Sequence, residues 1–379
     1  HHDRHDVHGA SLAPPCNAVP PPGVLRGMRA RSVAVAVLVV AAIAGCSGSA
    51  GSGQAAPSGA ESGASVVARH SPPLPPSSSP VAPHVEMVAW HGPVEELFVH
   101  PLVINPELAF TSDQLGVGFQ NNFVTALEFR RILDDLWRNG WTFVDVHRAA
   151  AGTVRVPEGR RPLVFSEDDV NYYRYFAGRG LASRLVLTDH GAMAELPSGQ
   201  LTDQDVVPLV DAEIARHPEF SADGAKGVLA VTGYEGLFGE HHPDRPAARK
   251  RLIALGRWLT NDGWTIASHT WGHINLSTNS LSSIAWDTAQ WKAVARPVLG
   301  GTDVLVYPFG ARPSPEACRQ LARAGYRIQI DIDVVARTVR HDGAVVMSRR
   351  HVDGYAFDAP RRQLPFYDVA NVRDPARPH

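Results

Sequence analysis

The chain has 379 residues, of which 44% are hydrophobic and 20% are charged, so it is long enough to bury one large core or two ordinary ones. Its 36 basic and 38 acidic residues give a formal net charge of -2, which excludes the strongly basic surface of a nucleic-acid-binding protein. Cys16, Cys46 and Cys318 are too scattered for a disulfide framework or a four-thiolate zinc site. Any metal must therefore be held by histidine and carboxylate side chains. No nucleic-acid partner is expected, and nothing in the sequence predicts a protein partner.

The N-terminal region predicts an exported lipoprotein. Residues 1–27 show no apolar periodicity, and we expect the native product to begin at Met28. A short basic region then precedes the apolar run Ser32–Ile43, which falls short of the about 20 residues of a membrane-spanning helix and is typical of a signal-peptide core. The run ends in Ile-Ala-Gly-Cys, which resembles a bacterial lipobox with Cys46 as the lipidated residue. We predict a lipoprotein signal at residues 28–46, with an ordinary cleaved signal as the alternative.

Both interpretations place the protein outside the cytoplasm, either lipid-anchored to the outer face of the bacterial cytoplasmic membrane or secreted. Residues 47–84 are dominated by Ser, Gly, Ala and Pro, and such a composition buries too little apolar surface to offset its chain entropy. We predict a disordered linker that tethers the folded domain to the membrane, or else a terminal segment without a role. The composition becomes globular at residue 85, and the predicted domain spans residues 85–379.

Helical and strand patterns alternate along this domain. Apolar residues at helical spacing predict amphipathic helices at Ala126–Asn139, Thr202–His217, Ala247–Asp262 and Pro315–Ala324. Short apolar runs predict strands at Pro162–Phe165, Arg184–Leu187, Gly227–Val231, Trp264–Ala267, Val304–Val306 and Ala344–Met347. This alternation predicts an α/β fold with a largely parallel sheet and helices outside it. For a domain of roughly 300 residues we expect a distorted (β/α) barrel, closed or incomplete.

Three of the predicted strands end in polar clusters, at Ser166–Asp169, Ser268–His273 and Tyr307–Gly310. Because the C-terminal ends of parallel barrel strands converge on one mouth, these distant side chains can share one site. Neither motif is specific alone: two adjacent aspartates also fit a solvated turn, and with 18 histidines one His-x-x-x-His pair is expected about once by chance. Imidazoles and carboxylates at the ends of separate strands do, however, supply the ligands of a catalytic divalent metal.

These clusters resemble the motifs of the polysaccharide deacetylase family, which carries the NodB-homology domain and is also called carbohydrate esterase family 4. The segment Ser166–Val170 resembles the family's Thr-Phe-Asp-Asp-Gly motif. His269–His273 matches its His-Ser/Thr-x-x-His motif, and Val306–Gly310 resembles its Arg-x-Pro-x-Gly motif. The three occur in the family's order, and the resemblance extends from about Trp90 to His351. It implies a barrel of the polysaccharide deacetylase type.

The resemblance also implies roles for individual residues. Asp169, His269 and His273 correspond to the ligands of a divalent cation, for which zinc is expected first and cobalt or manganese are alternatives. Asp168 corresponds to the base that removes a proton from water, and His351 to the late histidine that assists the leaving group. Substrate contacts are expected from the motif residues Tyr307, Pro308, Phe309 and Gly310 at the mouth. Trp271, inside the histidine motif, is expected either to stack on a sugar face or to pack at the rim.

The chain departs from the family pattern at three motif positions. Val306 stands where the family has the arginine that orients the catalytic aspartate. Glu167 and Val170 replace an aromatic residue and a glycine of the first motif. These departures affect the residues that would position the catalytic base.

The sequence therefore predicts a metal-dependent hydrolase that removes N-acetyl groups from an envelope or extracellular amino-sugar polysaccharide such as peptidoglycan. The alternative is a non-catalytic, glycan-binding envelope lipoprotein that keeps the deacetylase fold, and Val306 favours it. A peptidase that uses the same metal is a third, more distant hypothesis, because a barrel mouth ringed by loops also suits an extended peptide.

Overall fold

The computed structural model describes residues 86–341 and 343–378, so the predicted signal, Cys46 and the linker lie outside the described residues. Strands lie at Met87–Ala89 (β1), Glu95–Val99 (β2), Trp141–Phe143 (β3), Arg155–Pro157 (β4), Arg161–Glu167 (β5), Arg184–Thr188 (β6), Gly191–Glu195 (β7), Leu201–Thr202 (β8), Gly227–Val231 (β9), Trp264–Ser268 (β10), Val304–Val306 (β11), Ile328–Ile332 (β12), Arg337–His341 (β13) and Ala344–His351 (β14).

Helices lie at Pro106–Ala109 (α1), Gln114–Asn122 (α2), Ala126–Arg138 (α3), Val146–Ala151 (α4), Val206–Arg216 (α5), Pro246–Asn261 (α6), Leu281–Val294 (α7), Arg296–Leu299 (α8), Pro315–Arg323 (α9), Gly354–Phe357 (α10), Pro360–Gln363 (α11) and Val369–Val372 (α12). Short 3₁₀ helices lie at Arg174–Phe176, Pro218–Phe220, Ala222–Gly224 and Pro308–Gly310. None of the helices within the described ranges is long and apolar enough to cross a membrane.

Seven parallel strands form a closed ring in the order β12-β11-β10-β9-β5-β2-β14, and β14 pairs back with β12. The antiparallel strand β13 lies outside the ring against β14, and β3 pairs with β5. The predicted (β/α) barrel is confirmed, in its closed form. The C-terminal ends of the ring strands define one mouth, where loops from different parts of the chain meet.

Alternate residues of the ring strands belong to two apolar layers. On β5, Leu163 and Phe165 pack in the outer layer with residues of α3, α5 and α6, such as Phe129. Val164 faces the other way and packs inside the ring, where buried residues of β9, β10, β11, β12 and β14 meet. This period-two alternation is the one expected when both faces of a parallel sheet are covered.

The start of α3 is fastened by the C-terminal segment. Thr125 and Glu128 form a capping box at this helix N-terminus. Glu128 is completely buried and accepts hydrogen bonds from the Arg377 guanidinium at 2.6 and 2.7 Å. Arg377 also donates to the Phe123 carbonyl at 2.7 Å. The last residues of the chain therefore close the layer of helices around the barrel.

The four predicted helices correspond to α3, α5, α6 and α9 within a few residues at each end. The predicted strand at Arg184–Leu187 exists as β6, but it pairs with β7 in a separate antiparallel sheet outside the barrel. Two strands of the ring, β2 and β12, were not predicted because polar side chains interrupt their apolar runs. These side chains are Glu95 and Glu96 in β2, and Gln329 and Asp331 in β12.

Candidate active site

Loops after β5 and β10 bring a carboxylate and two imidazoles together at the barrel mouth. The ligand atoms of Asp169, His269 and His273 all lie within 4.8 Å of one another. Asp169 Oδ1 is 3.8 Å from His269 Nε2 and 3.6 Å from His273 Nε2. The three residues implied as metal ligands by the family motifs are thus adjacent in space.

The backbone of Asp169 has a φ of +57°, which turns its carboxylate out of the strand direction. The Tyr173 hydroxyl donates to Asp169 Oδ1 at 2.7 Å and lies 3.1 Å from Thr232 Oγ1. Asn171 fixes this loop against the one after β9, because its amide donates to the carbonyls of Thr232 and Gly236. The Asp169 carboxylate is therefore held by buried neighbours.

His269 is oriented by a backbone carbonyl. Its Nδ1 lies 3.0 Å from the carbonyl oxygen of Val306, which can only accept, so Nδ1 carries the proton and Nε2 is left for a metal. The same Nε2 lies 3.7 Å from Asp168 Oδ2. Burial lowers the pKa of His273 to about 4, against the opposing charge of Asp169, so this imidazole is neutral at neutral pH. The Nε2 atoms of His269 and His273 therefore both face Asp169 Oδ1, where a cation could bind.

The loop between the two histidines is clamped by Asp287 of α7. Its carboxylate accepts hydrogen bonds from the backbone N–H groups of Trp271 and Gly272, at 2.7 and 2.8 Å. Burial raises the pKa of Asp287 to about 6, against the lowering by these two hydrogen bonds. The clamp fixes the loop that carries His269 and His273.

Asp168 forms a buried ion pair with Arg349 of β14. Two N–H groups of the guanidinium donate to Oδ1 and Oδ2 of Asp168 at 2.6 and 2.5 Å, and one also donates to Ser166 Oγ at 3.0 Å. Phe98 stacks on the guanidinium at 4.0 Å. Burial raises the pKa of Asp168, but Arg349 and His269 lower it by more, so the pKa lies well below its usual value. The carboxylate is ionised and fixed in orientation.

Arg349 was not among the residues that sequence reasoning selected: the predicted strand ended at Met347, whereas β14 continues to His351 and includes Arg349. Val306, which replaces the family's arginine, is completely buried in the apolar layer inside the ring. The guanidinium that contacts Asp168 comes from a different strand of the ring.

His100, at the end of β2, is a second residue that sequence reasoning missed. Its Nδ1 lies 2.9 Å from the Asn122 carbonyl oxygen, so Nδ1 donates and Nε2 is free to hold a proton. A positive charge on His100 adds to the other influences that lower the pKa of Asp168 and Asp169, and it also lowers the pKa of His273. His100 is therefore a neighbour of the carboxylate–imidazole cluster. Sequence reasoning missed His100 because β2 was not predicted as a strand, so His100 was not recognised as the residue that follows a strand end.

His351 lies at the end of β14, next to β2 in the ring. Its Nδ1 is 3.1 Å from Asp353 Oδ2, and its ring packs 4.9 Å from Phe98. Its side chain is 45% exposed. His351 and His100 thus both pack against Phe98, on the side of the cluster formed by β2 and β14.

The third motif presents one aromatic ring to solvent. Tyr307 is buried with its hydroxyl hydrogen bonded to Gln329, and Pro308 is buried beside it. Phe309 has a φ of +60°, is 40% exposed and lies edge-on to His273 with ring centroids 4.5 Å apart. A Cβ on Gly310 would lie 2.6 Å from the Ile332 side chain, so only glycine fits there. Trp271, between the two histidines, is half-buried, and its ring packs edge-on against Trp286 with centroids 5.4 Å apart.

The donor set fits a divalent cation. Two imidazole nitrogens and one carboxylate oxygen are the three-ligand set of catalytic zinc sites, which keep further positions open. The hydrogen bonds made by these residues are also those typical of metal ligands. His269 donates to a backbone carbonyl, and Asp169 accepts from a tyrosine hydroxyl.

No family model matches the chain, and no curated protein is significantly similar to it. Solved structures that resemble it include several deacetylases. They include Streptococcus pyogenes deacetylase PplD in complex with acetate, with 13% identity over 69% of this chain and 92% of that chain and a TM-score of 0.41. IcaB from Ammonifex degensii has 15% identity, covers 69% and 91%, and has a TM-score of 0.42. A de-N-acetylase from Aggregatibacter actinomycetemcomitans has 14% identity, covers 69% and 96%, and has a TM-score of 0.44. With identities this low, the chemistry of this chain must be inferred from its own site residues.

Proposed function

We propose that the protein is a metal-dependent N-deacetylase that acts on an amino-sugar polysaccharide of the cell envelope or its surroundings. The observation that carries this proposal is the position of Asp168. Its carboxylate lies 3.7 Å from His269 Nε2, beside the metal-ligand cluster, and is held by Arg349. An ionised carboxylate that is fixed next to a metal site is the arrangement needed for a general base.

Asp169, His269 and His273 would hold the cation, with zinc expected first and cobalt or manganese as alternatives. The cation supplies Lewis acidity, which makes a water molecule acidic and stabilises negative charge on a carbonyl oxygen. Asp168 accepts the proton of the attacking water. Because its pKa is well below the usual value, it is a weak base, and the site depends on this Lewis acidity.

Cleavage of the amide bond also needs a proton donor for the leaving amine. His351 has this role in the family resemblance, and its imidazole is paired with Asp353. We propose His100 as the second candidate, since Nδ1 is the atom that contacts the Asn122 carbonyl, which leaves Nε2 for a proton, and the ring is an electrostatic neighbour of both Asp168 and Asp169. Phe309, which lies against His273, and Trp271 would contact the sugar residue that carries the acetyl group.

The position of Arg349 argues against the glycan-binding alternative. Val306 favoured that alternative because the arginine that orients the base was missing from the third motif. Arg349 makes the same kind of contact from β14, with two hydrogen bonds to Asp168. The base therefore has an orienting partner in this chain.

The test is acetate release from N-acetylated chito-oligomers and from peptidoglycan by the purified protein, with zinc, cobalt or manganese and after chelation. We expect release that requires metal. Asp168→Asn should keep the metal and lose about 10²- to 10⁴-fold in turnover, whereas His269→Ala, His273→Ala and Asp169→Asn should lose the metal as well. Metal-loaded protein that releases no acetate from any of these polymers, but binds them as well as Asp168→Asn does, would establish the binding protein instead.

We also propose that the protein is exported and lipid-anchored through Cys46. The support is the order of the basic region, the apolar run and the lipobox. Cys46→Ala should release the protein into the medium or leave it unprocessed. Unchanged membrane fractionation of this variant would remove the lipid anchor from the proposal.

A further inference from the structure

A second carboxyl group lies inside the ring next to the guanidinium of Arg349. Glu96 is a residue of β2 and is only 1% exposed. Leu97 and Arg350 are paired between β2 and β14, so Glu96 and Arg349 come one residue earlier on these two neighbouring strands. Leu97 packs in the outer layer and Met347 in the inner one. Because alternate residues of a strand face opposite sides, Glu96 and Arg349 both face the interior.

Both groups have buried polar atoms that make no hydrogen bond. In the described part of the chain, neither carboxylate oxygen of Glu96 has a partner, and the Nε of Arg349 has none. The other two nitrogens of this guanidinium donate to Asp168 and Ser166. Glu96 and Arg349 therefore act on each other as charges across the interior, where charges interact more strongly than in water. The same guanidinium is next to two carboxyl groups.

The charged groups that act on Glu96 come from three parts of the barrel. Arg349 of β14 favours the ionised form of Glu96, whereas Asp168 after β5 and Asp331 of β12 oppose it. The interior layer around these groups is apolar and includes Val164. Burial is the largest influence and raises the pKa of Glu96 to about 8. Glu96 is therefore neutral in mildly acidic solution and becomes ionised in mildly alkaline solution.

We propose that Glu96 is a positioning residue, which shares the guanidinium of Arg349 with Asp168 and thereby sets the strength of the base. The inference rests on the proposed function and adds a group that acts only through Arg349. When Asp168 accepts the proton of the attacking water, it loses its charge and leaves a buried guanidinium without a counter-charge. An uncompensated buried charge is costly, and an ionised Glu96 compensates it. Proton transfer to Asp168 should therefore be easier when Glu96 is ionised.

The experiment compares kcat for metal-dependent acetate release across the pH range in wild type and Glu96→Gln. The variant keeps the shape of the side chain but stays neutral, so its kcat should equal that of wild type at about pH 6 and be about fivefold lower at about pH 9. A merely structural role would lower kcat by the same factor at every pH. Glu96→Asp keeps an ionisable group and should keep the rise in kcat with pH. Glu95→Gln is the matched control, because Glu95 is the half-buried preceding residue and pairs with Arg350.

A ratio of wild-type to Glu96→Gln kcat that does not change with pH, or that changes equally in Glu95→Gln, would overturn the inference and leave the deacetylase proposal intact. If the wild type releases no acetate, the proposed function fails, and carbon-13 NMR titration of Glu96 then tests the shared guanidinium. The signal is assigned by its absence in Glu96→Gln. In Asp168→Asn the competing carboxylate is gone, so Glu96 should titrate at a pH about one unit lower. An unchanged titration would overturn the sharing of Arg349.

Discussion

Asp168 and Arg349 are 181 residues apart in the chain and form a two-pronged hydrogen-bonded ion pair at the barrel mouth. Both side chains are buried, and the arginine is completely inaccessible to solvent. A planar guanidinium that donates to both oxygens of a carboxylate fixes its orientation as well as its charge. The geometry of the proposed base is therefore set by the last strand of the ring.

The ion pair predicts unequal effects of two substitutions at Arg349. Arg349→Lys keeps a positive charge but cannot donate in the same fork, so kcat should fall while metal affinity is retained. Arg349→Met leaves a buried carboxylate without its partner and should cost about 3–5 kcal/mol in the free energy of unfolding. Arg350→Met is the matched control, because Arg350 forms a partly exposed pair with Glu95 and should contribute about 1 kcal/mol or less. Steady-state kinetics and urea unfolding give both quantities, and a fully active Arg349→Lys would contradict the orienting role.

Tyr173→Phe should weaken metal binding without disturbing the fold. The lost hydroxyl donates to Asp169, and loss of such an outer hydrogen bond commonly lowers metal affinity by about 10- to 100-fold. The neighbour offers a control of the same chemistry, since the buried Tyr172 hydroxyl donates to Asp205 instead. Competition with a chromogenic zinc chelator measures the affinity directly. Equal losses in Tyr172→Phe and Tyr173→Phe would point to a general effect on the core.

The leaving group can identify the proton donor. Loss of a general acid should slow amide cleavage by about 10²- to 10⁴-fold, but cleavage of 4-nitrophenyl acetate should be spared, because nitrophenolate leaves without a proton. We expect this selective loss in His100→Gln or in His351→Gln. The histidine that is replaced in the affected variant is the proton donor. Asp168→Asn should slow both substrates. Two histidine variants that keep wild-type amide cleavage would exclude both candidates.

Glu96 predicts a pH dependence of stability. It is buried inside the ring, and neither of its carboxylate oxygens has a hydrogen-bond partner among the described residues. Burial raises the pKa of Glu96 to about 8, against the lowering by Arg349. Because the folded-state pKa lies above the unfolded one, this contribution to stability is complete below about pH 4.5 and is lost as the pH rises towards 8.

Glu96→Gln removes the titrating proton and keeps the shape of the side chain. Urea unfolding between pH 5 and pH 8 should therefore show wild type losing stability relative to this variant, by at most about 1.4 kcal/mol per pH unit. Parallel curves for the two proteins would mean that Glu96 ionises equally in the folded and unfolded states.

The sequence predicted the barrel and the metal-ligand cluster because both follow from local patterns. Apolar runs of strand length mark most ring strands, and the polar residues that end β5 and β10 include Asp169 and His269. Arg349 and His100 are different, since their importance depends on which strands become neighbours. The pairing of β14 with β2, and of β2 with β5, brings Arg349 into contact with Asp168 and His100 near enough to act on it electrostatically, and no spacing along the chain encodes it.

The same lack of local signal applies to the inner face of β2. Glu96 points into the ring, where a charged side chain is costly unless it is neutralised or paired. Its carboxyl group lies close enough to Arg349 and Asp168 for their charges to affect its pKa. From the sequence alone, two adjacent glutamates indicate a surface segment. The burial of Glu96 becomes understandable only in the closed barrel, where this residue faces the interior.

Ring closure joins the first strand of the barrel to leave the ribosome, β2, to the last, β14, and only two residue pairs align between them. All three metal-ligand residues are synthesised before β14, so a nascent chain carries them while Asp168 still lacks its guanidinium. Opening of this single seam in the finished protein would likewise separate Asp168 from Arg349 without removing any metal ligand. The activity proposed for this protein would therefore depend on a complete barrel.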